Sequence, residues 1–123
     1  MDVAVVGAGP YGLSIAAHLA SKRVRVFGEP MRTWKRLMPP DMTMRSTWER
    51  SNLSDPDQKG RLVDWAAATG HDRIEPLPLR LFIEYAEWFR ERFVPDVDEA
   101  DIVRVESLDA GGFHLQTSTG GEL

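Results

Sequence analysis

The chain has 123 residues, 42% of them hydrophobic and 28% charged, a balance that supports one folded domain and excludes disorder along its whole length. Its net charge of −4 argues against a nucleic-acid or anionic-membrane partner. Cysteine is absent and the histidines, His18, His71 and His114, are scattered, which removes disulfides, thiolate catalysis and metal centres built on Cys or His from consideration.

No stretch approaches the ~18 consecutive apolar residues that a membrane helix needs. The apolar N-terminus lacks a basic leader and is interrupted by Gly7, Gly9 and Pro10, so it does not read as a signal peptide. A soluble, cytoplasmic protein is the expectation.

Val3-Ala4-Val5-Val6 is rich in β-branched residues and stops at Gly7; it reads as a strand buried on both faces, as in a parallel sheet. Leu13, Ala16, Ala17 and Ala20 follow at helical spacing, with small side chains that let a helix approach a sheet. Val24–Phe27 returns as a second strand. The three elements form a right-handed βαβ unit over residues 1–29.

Residues 30–95 are expected to hold an irregular stretch and then helices. Pro30, Pro39 and Pro40 break the pattern as far as about Asn52, yet Trp34, Trp48 and several methionines mark this as more than a linker. Leu62–Thr69 reads as a short helix closed by Gly70. Leu79–Phe93 reads as a longer one, with Leu81, Tyr85 and Trp88 on one stripe, Phe82, Ala86, Phe89 and Phe93 on the next, and Pro95 beyond its end. The aromatic groups of this helix read as core. Asp55-Pro56-Asp57 reads as a turn. Residues 101–123 switch to period two. Val103 and Val105, then Phe113, Leu115 and Thr117, alternate with polar residues around an Asp109–Gly112 turn, an antiparallel hairpin with one wet face.

The motif that carries chemistry is Gly7-Ala8-Gly9-Pro10-Tyr11-Gly12. A glycine pattern alone is weak evidence, but this one follows a strand and opens a helix, the setting of a dinucleotide loop. Gly7 permits the tight turn, Gly9 lets a pyrophosphate approach the backbone, and Gly12 lets helix and strand close. The amides of the first helical turn favour an anion, and Pro10 costs little there. The acidic residue that usually ends the second strand and meets the adenosine ribose falls on Gly28; Glu29, one residue later, is the candidate for that role.

Read together, these residues resemble the N-terminal FAD-binding portion of flavin-dependent monooxygenases and related flavoprotein oxidoreductases, including the N-hydroxylating and Baeyer–Villiger types. The resemblance implies that Gly7, Ala8, Gly9, Pro10, Tyr11 and Gly12 hold the FAD pyrophosphate. It further implies that the Met31–Arg50 stretch, with Trp34 and the Met42–Ser46 positions including Arg45, packs beside the flavin. In a complete relative, NAD(P)H would reduce FAD and a small-molecule substrate would be oxygenated. The alternative that Trp34, Trp48 and the methionines simply fill core gaps stays open.

The expected fold is α/β: a Rossmann-like βαβ unit, then helices and a β-hairpin, together an incomplete FAD domain. No third parallel strand is readable between Gly28 and Gly121. Gly111-Gly112 and Gly120-Gly121 sit in hairpin turns rather than before a helix, so no second nucleotide loop is readable either. The chain therefore reads as the opening portion of a longer flavoprotein, binding FAD weakly by itself and without turnover. Two other readings remain: an NAD-binding regulatory module without redox activity, and a non-functional remnant with an exposed sheet edge.

Overall fold

The computed structural model describes residues 1–123. In chain order it contains β1 (Val3–Val6), α1 (Pro10–His18), β2 (Val24–Phe27), α2 (Arg32–Arg36), α3 (Leu62–Thr69), α4 (Leu79–Phe93), β3 (Val97–Asp98), β4 (Ile102–Ser107) and β5 (Phe113–Thr117), with one 3₁₀ turn at Trp48–Arg50. The architecture is α/β. A three-stranded parallel sheet, β1-β2-β3, lies beside the antiparallel β4-β5 hairpin.

β1 and β2 pair in parallel from Val3 opposite Val24 to Val6 opposite Phe27. α1 carries the crossover, burying Leu13, Ala16 and Ala17; two alanines in succession keep its axis close to the strands. A third parallel strand does exist. Val97 and Asp98 pair with Val26 and Phe27, and the Gly28 amide donates to the Asp98 carbonyl at 2.8 Å. The expectation of no such strand fails because two residues are too few to show a period. The resulting order, with β2 between β1 and β3, is that of the first half of a doubly wound sheet.

α3 and α4 have the ends read from the sequence, α3 closing at Gly70 with φ of +73°. α4 buries Leu79, Leu81, Phe82, Tyr85, Ala86 and Phe89. All but Leu79 join Leu13, Val26, Met31, Trp48, Leu62 and Trp65 in one core. Trp48 is fixed there by its indole N–H, which donates to the Ile74 carbonyl at 2.7 Å. The Tyr85 hydroxyl accepts from the Leu53 amide at 2.9 Å and donates to the Gly60 carbonyl. Burial raises its pKa well above the ordinary value.

Two burial expectations are corrected. β1 is not buried on both faces: Val5 is enclosed but Val6 is 57% exposed, because α1 covers one face while the hairpin stands off from the other. A cleft of about 530 Å³ separates them, walled by Val3, Val6, Val105, Phe113 and Leu115. In the hairpin, Leu115 and Thr117 are buried while Val103 and Val105 lie open. Val103 falls in the register irregularity between Ile102 and Arg104 and has no partner across the ladder, while Val105 stands opposite Leu115 and shares its face toward the cleft.

Candidate nucleotide cleft

The carboxyl ends of β1 and β2 open into a cleft of about 500 Å³. Its floor is Val6, Gly7, Ala8 and Gly9 from the first strand–helix turn; its walls are Phe27, Gly28 and Glu29, then Met31–Trp34, and across from them Asp101, Ile102 and Val103. Ligands of open α/β sheets bind outside the carboxyl ends of the strands.

Each glycine of the turn has a separate geometric reason. Gly7 has φ of +107°, a region that residues with a Cβ rarely enter, and its amide donates to the Phe27 carbonyl at 2.8 Å, tying the turn to β2. A Cβ on Gly12 would stand 1.9 Å from the Gly7 carbonyl oxygen, so only glycine lets α1 pass there. A Cβ on Gly9 would meet nothing within 4 Å; the absent side chain leaves a cradle on the cleft floor. Pro10 is the first residue of α1, and the first closed helical bond is the Leu13 amide donating to the Gly9 carbonyl at 2.9 Å. The amides ahead of it have no acceptor within the helix. Ala8 is buried, and its carbonyl accepts from the Met31 amide at 3.0 Å, fastening the loop to the wall after β2. Tyr11 is not among the residues lining the cleft and is 87% exposed.

Glu29 stands at the cleft wall with its side chain 20% exposed. Arg36 grips the carboxylate bidentately, 2.6 Å to Oε1 and 2.8 Å to Oε2, while Arg32 Nε reaches Oε2 at 3.2 Å. The Arg36 guanidinium holds the Glu29 carboxyl below its ordinary range, with Arg32 adding to the effect against the opposing pull of burial. Arg32 also reaches across to Asp101 at 3.0 Å, and that carboxylate, then Glu29, raises the Arg32 pKa.

Of the aromatic and basic positions assigned to a flavin, Trp34 lines the cleft and also packs its ring on Phe82, centroids 5.1 Å apart. Arg45 is exposed and lies outside the cleft lining. The stretch around it runs instead against residues 77–79: the Met44 amide donates to the Leu77 carbonyl and the Leu79 amide to that of Met42. Trp48 is core. Asp55, read as part of a turn, is one: its buried carboxylate accepts from the amides of Lys59 and Gly60. Asp101, Ile102 and Val103 complete the cleft without a local signal in the sequence, because the tertiary fold alone brings them there.

No family model matches the chain, and no curated protein does. Solved structures do. A lysine monooxygenase, NbtG from Nocardia farcinica, superposes with a TM-score of 0.81 at 14% identity, covering 100% of this chain and 41% of its own. The fold is shared. The FAD-bound cadaverine monooxygenase DfoA from Erwinia amylovora gives 0.72 at 16% identity, covering 99% of this chain and 32% of its own. The bacillithiol disulfide reductase Bdr from Staphylococcus aureus gives 0.74 at 15%, covering 96% of this chain and 34% of its own. The chain thus spans between about a third and two-fifths of these flavoprotein and reductase chains. No helix is long and apolar enough to cross a membrane.

Proposed function

We propose that this chain is the FAD-binding portion of a flavin-dependent oxidoreductase, supplying the site for the adenosine and pyrophosphate of the cofactor. The single observation that carries the reading is the glycine turn at the sheet's carboxyl edge: Gly12 is required for helix and strand to pass, while Gly9 leaves an open cradle in front of the first amides of α1. A diphosphate suits that cradle by size and charge. Glu29 lines the adjoining wall, where an acidic residue after the second strand would accept hydrogen bonds from ribose hydroxyls. Trp34 offers an apolar ring to whatever lies farther along the cleft.

FAD, when bound, supplies two-electron redox chemistry. The residues of this chain would hold it: the loop amides at the diphosphate, Glu29 at the ribose, and Trp34 with Ile102 on the walls beyond. The whole-protein activity consistent with this is an NAD(P)H-using monooxygenase acting on a small organic molecule in the cytoplasm. The NAD(P)H site is not among the motifs of this chain. Titration of the folded protein with FAD, ADP and NAD, followed by amide resonances of residues 5–14, tests the reading. FAD and ADP should shift the Gly9, Tyr11 and Gly12 amides; a folded sample whose loop resonances ignore all three nucleotides defeats it.

A further inference from the structure

Glu29 faces a problem of capacity. A carboxylate offers about four lone-pair positions, two on each oxygen, and three N–H groups already hold this one: Arg36 Nη2 on Oε1 at 2.6 Å, Arg36 Nε on Oε2 at 2.8 Å with a longer arm of 3.2 Å to Oε1, and Arg32 Nε on Oε2 at 3.2 Å. Oε2 has both its positions engaged, so a ribose diol that grips both oxygens of Glu29 must displace one of the two donors there. The Arg36 pair is bidentate and short, the strong form of such contacts. The Arg32 contact is single and long, and Arg32 alone has a second carboxylate at hand: Asp101, 3.0 Å from it on the opposite wall. An arginine driven from Glu29 therefore keeps a carboxylate partner.

Resting on the nucleotide assignment above, we propose that Arg32 is a two-station latch. It bridges Glu29 and Asp101 across the cleft mouth until a nucleotide enters, and it then yields Oε2 of Glu29 to a ribose hydroxyl while Asp101 retains it. Asp101 is by this account a positioning residue: it touches no ligand atom, yet it governs how readily Glu29 accepts the sugar. Arg36 stays on Glu29 throughout and keeps its carboxylate aimed and ionised.

The readout that isolates the latch is the ratio of affinities for ADP and 2′,3′-dideoxy-ADP, because the diphosphate and the overall charge act equally on both ligands. Calorimetric titration of the full chain should show this ratio falling about two- to fivefold in Asp101→Asn, the span of one exposed ion pair. In the Arg32→Gln background the same Asp101→Asn change should leave the ratio where it was, since no guanidinium remains to be retained. A ratio unaltered by Asp101→Asn, or one lowered equally with and without Arg32, overturns the latch. Glu29→Gln separates this from the parent reading. If the unaltered protein prefers ADP and Glu29→Gln abolishes that preference, ribose recognition stands whatever Asp101 does. If the unaltered protein binds both ligands equally, Glu29 does not meet the ribose, and the latch falls with it.

Discussion

At the scale of single residues, Gly9 and Gly12 are three positions apart in one loop and answer to different constraints. Alanine at Gly12 drives a methyl into the Gly7 carbonyl, and overpacking of this kind costs about 1–3 kcal/mol; urea unfolding of Gly12→Ala should show that loss. Gly9 has extended backbone, φ of −83° and ψ of −172°, and open space where a Cβ would go. Gly9→Ala should therefore unfold within about 0.5 kcal/mol of the parent while binding ADP roughly tenfold more weakly, the worth of one charge-assisted contact. A variant that loses stability and keeps its affinity would contradict that division of labour. Glu29 adds a pH dependence. Its carboxyl is held below the ordinary value of 4.5, so the support its arginines lend is whole above that value and disappears as pH falls through the lower, folded one. Stability curves of the parent and Glu29→Gln between about pH 3 and pH 7 should accordingly differ most at the upper end and converge toward the acid end. The roles of the two glycines were open to inspection in the chain because the loop is contiguous and its chemistry local. The part played by Asp101 was not, because nothing within its own neighbourhood distinguishes it from a surface aspartate.

At the scale of elements, legibility follows length and period. α4 runs for 15 residues with apolar groups recurring on one side, and α3 ends at a glycine whose left-handed backbone stops a helix; both are where periodicity and capping put them. α2 has five residues, begins after Met31 in a left-handed conformation with φ of +57°, and is too short for a helical period to emerge. It forms because its neighbours hold it: Lys35 meets Glu87 of α4 at 2.6 Å, and Trp34 leans on Phe82. The fit between α4 and the loops below it depends on the Tyr85 hydroxyl, which satisfies the Leu53 amide and the Gly60 carbonyl at once. Tyr85→Phe strands both groups out of water. Equilibrium unfolding should register a loss of about 1–3 kcal/mol, and amide exchange at Leu53 should quicken. An unchanged midpoint would mean that water reaches those two groups after the ring loses its oxygen.

At the scale of the molecule, the βαβ unit that carries the motif is not self-sufficient. The apolar face of α1 is completed by residues from α4 and beyond, such as Phe89 and Val94, and Val26 pairs outward with Val97. A peptide of residues 1–30 should accordingly show coil-like circular dichroism and no response to ADP, since a lone short helix with two strands lacks a core; helical signal with nucleotide binding in that peptide would show the unit to be autonomous. The hairpin presents the opposite case. It is built from local pairs, yet it leaves Val103, Val105 and Phe113 open to solvent along with Val6, so its alternating pattern predicted the strands correctly and the burial only at Leu115 and Thr117. Periodicity reports which faces differ; it does not report whether anything stands opposite them.

The short strand β3 has a kinetic corollary. It joins β2 across the whole span of α2, α3 and α4, so the far rim of the sheet cannot zip up by neighbour-to-neighbour growth. Closing so large a loop before its contacts repay the lost chain freedom slows collapse to the native state. During synthesis, the glycine turn leaves the ribosome well ahead of Asp98 and waits, half-framed, for it.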